Sequence, residues 1–385
     1  MPSSTPESRS TDASRSELLR AHRQPLASSL KTPAWAFGDA PDRDVVLVSR
    51  ARLACNLADY PFPGRAGERE LRLGAQQIRR AARADTARLA DLAPVSVASL
   101  SPSDRAALLD ARRISPELAR GGAHRYALLS DDGLLSVFVN EEDHVRVNAL
   151  SAGSNLWAAL ESAHDAQTRL SRRLRWAHSP HWGYLTTALT NMGTGLRLSV
   201  LLHLPALRYV NRAETALNAA RSLGTSVRGA HGEHSEAAGD LYQISNAVTW
   251  GYTNEQIAAR LRPVIAHLIE AERTARNEVA ASHARTGEEA ARAAWNVICA
   301  AEKLNAAEAL GLLSALRLAA AARLPGSLSA LGGPDGASLF CALVADLQTA
   351  TPLSDASVSP APDDANALRA AIRRAARLRS ALRSV

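Results

Sequence analysis

The 385-residue sequence predicts an α+β fold that continues into a region of helices alone. Short runs of β-forming residues alternate with helical patterns up to about residue 252, and only helical patterns follow. The strand-like runs are Val45–Val48, Tyr126–Leu129, Leu134–Val139 and Leu196–Leu204. Helical periodicity is found, for example, in Glu70–Leu89 and Ala213–Leu223.

The helical region begins with a sequence pattern that is typical of a helix N-terminus. Thr253 and Gln256 have capping-box spacing, and an apolar stripe at helical spacing follows them. Two further helix starts are predicted at Thr286 with Glu289 and at Asn305 with Glu308. Loops are predicted at Pro325–Gly336 and Pro352–Asp364. We expect a disordered lead-in over residues 1–35, a mixed α+β domain over 36–252 and a helical domain over 253–385.

The composition argues against several protein classes. No window reaches the roughly 18 apolar residues that a membrane span needs, and we expect no membrane partner. The stretch Met1–Glu17 lacks an apolar segment, so we expect no signal peptide. Three widely spaced cysteines in no metal-binding pattern favour a reduced, cytoplasmic setting without structural zinc. They are Cys55, Cys299 and Cys341.

The net charge of +7 and the pI near 9.8 would suit a nucleic-acid partner. Only Lys31 and Lys303 are lysines, so a genome-wide preference for arginine explains the excess more simply. Six arginines of the last predicted helix follow Asp364 without a further acidic residue. Charge alone therefore decides nothing, and we rank nucleic-acid binding last.

Two arginines alternate at the end of the first apolar run. An extended chain puts Arg50 and Arg52 on one face, because strand side chains repeat every two residues. A solvated edge strand is the alternative.

An acidic cluster, Asn140 to Arg146, follows a later strand-like run. If the chain stays extended there, Glu142, His144 and Arg146 share one face, and Glu141 lies opposite. Adjacent carboxylates repel one another, so a cation such as a metal or a guanidinium, or water, is expected beside them. A solvated turn is the alternative.

Two glycine-bearing segments are candidate ligand loops. The run Gly183–Arg197 could cradle phosphate with backbone N–H groups, although it is no Walker A loop and an ordinary turn is the alternative. The run Val227–Glu236 spaces Arg228 from Glu233 with glycines that would let a loop close on a ligand. A solvated surface loop is the alternative there. Zinc binding by His231 and His234 is disfavoured, because the helical spacing is absent.

In this order and spacing, the segments resemble the guanidino-kinase (ATP:guanidino phosphotransferase) superfamily, and most closely the bacterial protein-arginine kinases. The resemblance covers about residues 40–320. The motifs that carry it are Ser49–Pro63, Asn140–His144, Thr190–Gly195 and Gly239–Asn246. It implies a catalytic domain with a mainly antiparallel sheet flanked by helices, followed by an all-helical domain. Phosphagen kinases of the metazoan type carry their helical domain before the first motif, so the domain order here favours protein arginine as the substrate.

The resemblance also implies roles. ATP, carrying Mg²⁺, would be bound by Ser49, Arg50, Arg52, Arg146, Arg197 and Arg228. Glu142 and Glu233 would grip the substrate guanidinium, and one of them would act as base, with no metal ligand in the protein. This agrees with chemistry, because a guanidinium with a pKa above about 12 is a poor nucleophile until it is oriented and deprotonated. Alignment of the substrates and fixed positive charge would supply the rest of the rate enhancement.

The sequence departs from the family at two places. Ala188 stands where the family's active-site cysteine is typical, which could cost about 3 kcal/mol in the transition state, roughly a hundredfold in rate. Cys55 replaces an arginine of the opening motif and is no obvious substitute nucleophile. The C-terminal phosphoarginine-binding signature keeps only Arg369 and Ala370, which argues against phosphoarginine docking there.

Several functions stay open at this point. The leading hypothesis is an active protein-arginine kinase. A nucleotide-binding pseudokinase, a kinase of free guanidino compounds and a nucleic-acid-binding module are the others. The last helix has an apolar stripe of Leu368, Ile372 and Ala375, so it could equally dock on the protein's own core. The oligomeric state, including a homodimer, is open too.

Overall fold

The computed structural model describes residues 31–229, 237–348 and 364–383. Eight of its strands are β1 Val46–Cys55, β2 Ala93–Ser96, β3 Tyr126–Leu129, β4 Leu135–Val139, β5 Val145–Ala152, β8 Leu196–His203, β9 Thr225–Gly229 and β10 Leu241–Asn246. They form one antiparallel sheet in the order β2-β3-β4-β5-β1-β8-β10-β9. Strands β6 His178–Ser179 and β7 Gly183–Tyr184 pair separately as a short hairpin.

Helices surround the sheet and make up the C-terminal region. Those within the mixed region are α1 Glu68–Arg83, α2 Pro102–Asp110, α3 Pro116–Ala119, α4 Leu156–Ser171, α5 Pro205–Tyr209 and α6 Ala213–Ser222. The later ones are α7 Asn254–Ser282, α8 Ala284–Ala300, α9 Ala306–Ala321, α10 Gly333–Gln348 and α11 Asp364–Arg383. The predicted fold class is confirmed: a mixed region with a large antiparallel sheet precedes a helical region. The division into domains at residues 252 and 253 stays a prediction.

Strand β1 lies in the middle of the sheet, paired with β5 on one side and β8 on the other. The edge-strand alternative for Arg50 and Arg52 is therefore wrong. The strand runs for ten residues, from Val46 to Cys55. The side chains that alternate with the arginines, such as Ala51 and Leu53, are buried.

The two faces of the sheet are covered differently. One face, which includes Ala51 and Leu53 of β1, is buried beneath α4 and α7. On the other face, α2 and α3 cover only the β2-β3-β4 end, where Leu108 and Leu118 pack with Phe138 in a separate apolar cluster. The remainder of that second face carries both charged and apolar side chains, among them Arg50 and Leu201.

Capping boxes begin two of the C-terminal helices, as the sequence predicts. The Thr253 hydroxyl accepts from the Gln256 amide at the start of α7, and Asn305 does the same with Glu308 at α9. The start predicted at Thr286 is wrong. Helix α8 begins at Ala284, with only His283 between it and the end of α7, so Thr286 lies in its first turn.

Buried charge joins the helical region to α5, the short helix that follows β8. Glu272 of α7 is fully buried and accepts hydrogen bonds from the backbone amides of Ala206 and Leu207 at 3.1 and 3.0 Å. Its third partner is Arg276, at 3.0 Å. Removing this carboxylate would leave two buried backbone amides without an acceptor, which costs about 1–3 kcal/mol for each amide, whereas Arg276 would keep its bonds to Asp44.

The last helix, α11, docks on the protein by a face that includes only Ala375 of the predicted stripe. Leu378 and Leu382 are buried, whereas Leu368 and Ile372 stay nearly half exposed. Arg379 donates to the carbonyls of Cys299 and Ala301 at the end of α8, as a basic C-cap. Part of the basic charge of this helix is thus used inside the molecule. In the parts of the chain that the structure describes, no helix is long and apolar enough to cross a membrane.

Candidate active site

Five arginines from four strands point from one face of the sheet. In antiparallel pairing, residues directly opposite each other share a face. Arg52 lies opposite Arg197, and Ala54, two residues on from Arg52, lies opposite Arg146. Arg228 of β9 joins the set through Gln243, its partner on β10, which also lies opposite Leu201 of β8. Together with Arg50, these are all five arginines that the sequence singled out.

A cavity of about 310 Å³ lies over this face. Arg50, Arg52 and Arg146 line it, together with apolar side chains such as Trp35 and Leu201. The cavity also reaches the helical region: Ala345 of α10 forms part of its wall. The lining of the cavity is therefore partly cationic and partly apolar.

The arginines of the cavity repel one another. Burial, and then the charges of Arg112 and Arg197, lower the pKa of Arg50 to about 10. Burial and the same kind of repulsion hold the pKa of Arg52 well below its usual range. The Nε of Arg52 is buried without a hydrogen-bond partner in the described chain. A buried cluster of cations with an unused donor fits a polyanionic ligand.

Arg112 is a sixth arginine that the sequence did not reveal. It lies between α2 and α3 with a φ of 53°, and it lines the same cavity as Arg50. Arg112 reaches the cavity because of the turn that connects α2 to α3. Nothing in the local sequence distinguishes it from the neighbouring Arg113.

Ser49 differs from the other residues predicted to bind the nucleotide. Alternation along β1 turns its side chain to the face opposite the arginines. Its buried hydroxyl donates to the Gly153 carbonyl at 2.7 Å and accepts from the Asn155 amide at 2.9 Å. The side chain of Ser49 therefore fixes the end of β5 and the start of α4.

The acidic cluster forms a tight turn between β4 and β5, not a continued strand. Asn140 has a φ of 54°, and its amide donates to the carbonyl of His144. As a result Glu141 and Glu142 lie on the same side, and both contact Arg146, at 2.5 and 2.8 Å. The expected separation of Glu141 from Glu142 and Arg146 is wrong. The cation that the carboxylates require is supplied by the protein's own guanidinium.

Glu142 is the more accessible of these two carboxylates. Its side chain is 35% exposed, whereas that of Glu141 is fully buried and accepts from the hydroxyl of Ser115. Burial raises the pKa of Glu142 in spite of the charge of Arg146, and Asp143 and Glu141 add to the rise. A carboxylate with a raised pKa suits proton transfer near neutral pH.

Asn56 joins three of the sequence motifs. Its amide nitrogen donates to Asp143 at 2.6 Å and to the Leu185 carbonyl at 3.2 Å. Its amide oxygen accepts from the backbone of His144 at 2.9 Å. Asp143 also accepts from the Thr187 amide. Asp143 and His144 thus fix the loops around Glu142, while Glu142 itself is left at the surface of the site.

The glycines of the run 183–197 have a packing role. A Cβ on Gly193 would lie 2.8 Å from the backbone of Trp250, and one on Gly195 would lie 2.5 Å from the Ala54 carbonyl. No residue of this run, Arg197 included, lines the cavity. The structure therefore favours closely packed backbone over the phosphate nest that the sequence had left open.

Ala188 lies next to Thr187, whose hydroxyl donates to the carbonyl of Glu142 at 2.9 Å. Position 188 thus follows a residue that is bonded to the backbone of Glu142. Cys55 is not a replacement for the missing thiol. It is buried on the face away from the arginines, accepts from Gln167, and has a pKa that burial raises to about 12.

Glu233, with His231 and His234, lies outside the described residues, so the site is described here around Glu142. Among the residues that the structure does describe, no group of three or more His, Cys, Asp or Glu side chains is arranged to hold a metal ion.

Comparison with known proteins gives the family of this chain. The family described as ATP:guanido phosphotransferase, C-terminal catalytic domain, matches residues 75–275. The chain belongs to this family. It is 40% identical over 245 residues to a protein-arginine kinase of Halothermothrix orenii, a match that covers 63% of this chain and 69% of the relative. It is 38% identical over 246 residues to that of Shouchella clausii, with 64% and 69% covered.

Solved structures show the same fold. A lombricine kinase superposes with a TM-score of 0.55 at 22% identity, covering 64% of this chain and 69% of its own. The duplicated taurocyamine kinase of Schistosoma mansoni gives 0.53 at 23% identity, covering 64% of this chain and 38% of its own.

Proposed function

We propose that the protein transfers the γ-phosphoryl group of ATP to the guanidinium groups of arginine residues in proteins. The observation that carries this is the convergence of five arginines, from four strands, beside a carboxylate with a raised pKa. Relatives named protein-arginine kinase, 38–40% identical, support the choice of substrate. The catalytic unit would be residues 36–252, with 253–385 as the helical unit.

The cavity would hold the nucleotide. Arg50, Arg52, Arg146, Arg197 and Arg228 would bind the phosphates, and the Nε of Arg52 would gain the acceptor it lacks. The apolar wall at Trp35 and Leu201 suits an adenine ring. Mg²⁺ would arrive with the ATP and neutralise charge on its β- and γ-phosphates. Arg112 would add one more cation, contributed by the turn between α2 and α3.

Glu142 would hold the acceptor. Its carboxylate would take over the planar fork of the substrate guanidinium and align one nitrogen with the γ-phosphorus. A P–N bond then forms as the bond to the β–γ bridging oxygen breaks, giving ADP. The guanidinium proton passes to Glu142, or to Glu233 if that residue is the base, and from there to solvent. The arginines would compensate the charge that develops on the transferred group.

Cytoplasmic residence agrees with this function. ATP is the co-substrate, and Cys55, Cys299 and Cys341 are free thiols.

The test is incubation with ATP-Mg and an arginine-rich protein, followed by mass spectrometry under non-acidic conditions. The expected product is acid-labile phosphoarginine. Free arginine in a parallel reaction distinguishes the two substrate classes. Product no greater than that of the Glu142→Gln variant would reject the proposal.

Ala188 favours a second candidate function, a nucleotide-binding pseudokinase that regulates a partner. Alanine offers no charge beside the loop of Glu142, so binding without turnover would result. This candidate predicts thermal stabilisation by ATP-Mg with no phosphoarginine formed. Turnover by the wild-type protein would exclude it.

A further inference from the structure

Two tryptophans form an exposed pair on segments that hydrogen bonds connect to Glu142. The rings of Trp182 and Trp250 lie 5.6 Å apart at 31° and are 43% and 49% exposed. We call this pair the aromatic platform. Leu189 and Val248, in the same two stretches of the chain, are also exposed, with fractions of 77% and 52%. An apolar concentration of this kind marks an interaction surface more often than scattered apolar side chains do.

The platform lies in two segments without charge. Residues 176–196 and 241–254 contain no Asp, Glu, Lys or Arg, although 22% of the whole chain is charged. No carboxylate of these segments could therefore pair with a cationic partner. His181 stands edge-on to Trp182, at 4.7 Å, and contacts one side of its ring. The segments thus offer an uncharged surface, which suits an apolar contact.

Backbone contacts join the platform to the loop of Glu142. Gly193 packs directly on the backbone of Trp250, and the Thr249 hydroxyl contacts the carbonyls of Thr190 and Met192. The segment that contains Thr190 and Met192 begins near Thr187. The amide of Thr187 donates to Asp143, and its hydroxyl donates to the carbonyl of Glu142. The platform therefore has a fixed position relative to the proposed acceptor carboxylate.

We propose that the aromatic platform docks an apolar or aromatic side chain that flanks the target arginine in a polypeptide substrate. The inference rests on the proposed function, since only a peptide-borne arginine brings neighbouring residues to this surface. Tryptophan side chains have few rotatable bonds, so they contribute contact area at a small entropic cost. The consequence is a sequence preference around the phosphorylated arginine.

The test compares two labelled peptides that each contain one arginine. Leucine and tyrosine flank it in one peptide, and glycine flanks it in the other. Fluorescence anisotropy gives Kd, and ATP-dependent phosphorylation gives kcat/KM. We expect the apolar-flanked peptide to bind about tenfold more tightly, as loss of one aromatic contact typically costs. The double variant Trp182→Ala, Trp250→Ala should bring the ratio close to one.

Trp157→Ala is the matched control. Trp157 is 46% exposed but lies on α4, which packs on the opposite face of the sheet, so its removal should preserve the ratio. Circular dichroism of the double variant checks that it folds. If it does not, the milder pair Trp182→Phe, Trp250→Phe should retain the preference in part.

Equal Kd values for the two peptides in the wild-type protein would overturn the inference. A ratio unaffected by the double variant would do the same. Loss of a dimer in the double variant, seen by light scattering, would assign the platform to self-association and would also overturn it. Selective binding of the apolar-flanked peptide without phosphorylation of either peptide would support the platform and reject the proposed function.

Discussion

The guanidinium of Arg146 lies 2.8 Å from the carboxylate of Glu142. Without a ligand, Arg146 therefore pairs with the carboxylate that would bind the substrate guanidinium. Nucleotide phosphates would compete for Arg146, since Arg50 and Arg52 line the same cavity beside it. Binding of ATP would then expose Glu142 to the acceptor.

The first prediction concerns Glu142 itself. Glu142→Gln should lower kcat by at least about a hundredfold, because the amide can neither accept the proton nor pair with a guanidinium. Stabilisation by ATP-Mg should persist, since the phosphate ligands remain. Phosphoarginine formation and a thermal shift assay measure the two effects. A variant with more than a tenth of wild-type turnover would contradict this role.

The second prediction concerns pH. Burial and the acidic neighbours raise the pKa of Glu142, so the base loses its proton only above the ordinary carboxyl value of about 4.3. Activity should therefore be lost, as pH falls, at a higher pH than an exposed carboxylate would give. The acid limb of kcat/KM against pH reports it. An acid limb at or below pH 4.3 would show that another group is the base.

The third prediction separates binding from stability. Arg52→Gln should raise the free energy of unfolding without nucleotide, on the order of 1 kcal/mol, because it removes a buried, repelled charge. It should also abolish most of the stabilisation by ATP. Urea titrations with and without ATP-Mg measure both. Arg285→Gln, at a highly exposed position, is the control and should change neither.

The fourth prediction concerns His144, whose pKa burial lowers to about 4. Between pH 6.5 and 4 the unfolded chain binds a proton there that the folded protein does not. This histidine therefore removes about 1.4 kcal/mol of stability for each unit that the pH falls within that range. His144→Gln should flatten the dependence by this amount, whereas the exposed His267→Gln should not. Parallel slopes for His144→Gln and the wild type would refute the assignment.

The fifth prediction concerns the missing thiol. Ala188→Cys should raise kcat by up to about a hundredfold, if a thiolate supplies the electrostatic contact that alanine lacks. Single-turnover kinetics with a saturating peptide measures it. An unchanged rate would show that this protein stabilises its transition state without that contact.

Part of the site could be predicted from sequence because it depends on short spacings. Strand alternation alone puts Arg50 and Arg52 on one face. Repulsion between the adjacent carboxylates of the acidic cluster predicts a cation beside them. The resemblance then supplied Arg146, Arg197 and Arg228. Whether these arginines meet is a matter of register between strands that lie far apart in the chain, which only the structure provides.

The remaining features have no local signal. The turn at Asn140 reverses the predicted faces of the acidic cluster, and it follows from a positive φ that residue patterns rarely specify. Arg112 reaches the cavity through the packing of two short helices. Trp182 and Trp250 are 68 positions apart in the numbering and meet only because Gly193 lets their segments touch.

Ala345 belongs to α10, yet it shares a wall of the cavity with Trp35. Its neighbour Asp346 accepts from Thr32 and pairs with Arg377 of the terminal helix. A displacement of these helices would therefore change the shape of the cavity beside Arg50. A ligand that fills the cavity would in turn favour one placement of the helices. Linkage of this kind is reciprocal. The placement of the C-terminal helices and the filling of the cavity are in this sense coupled at the wall that Ala345 forms.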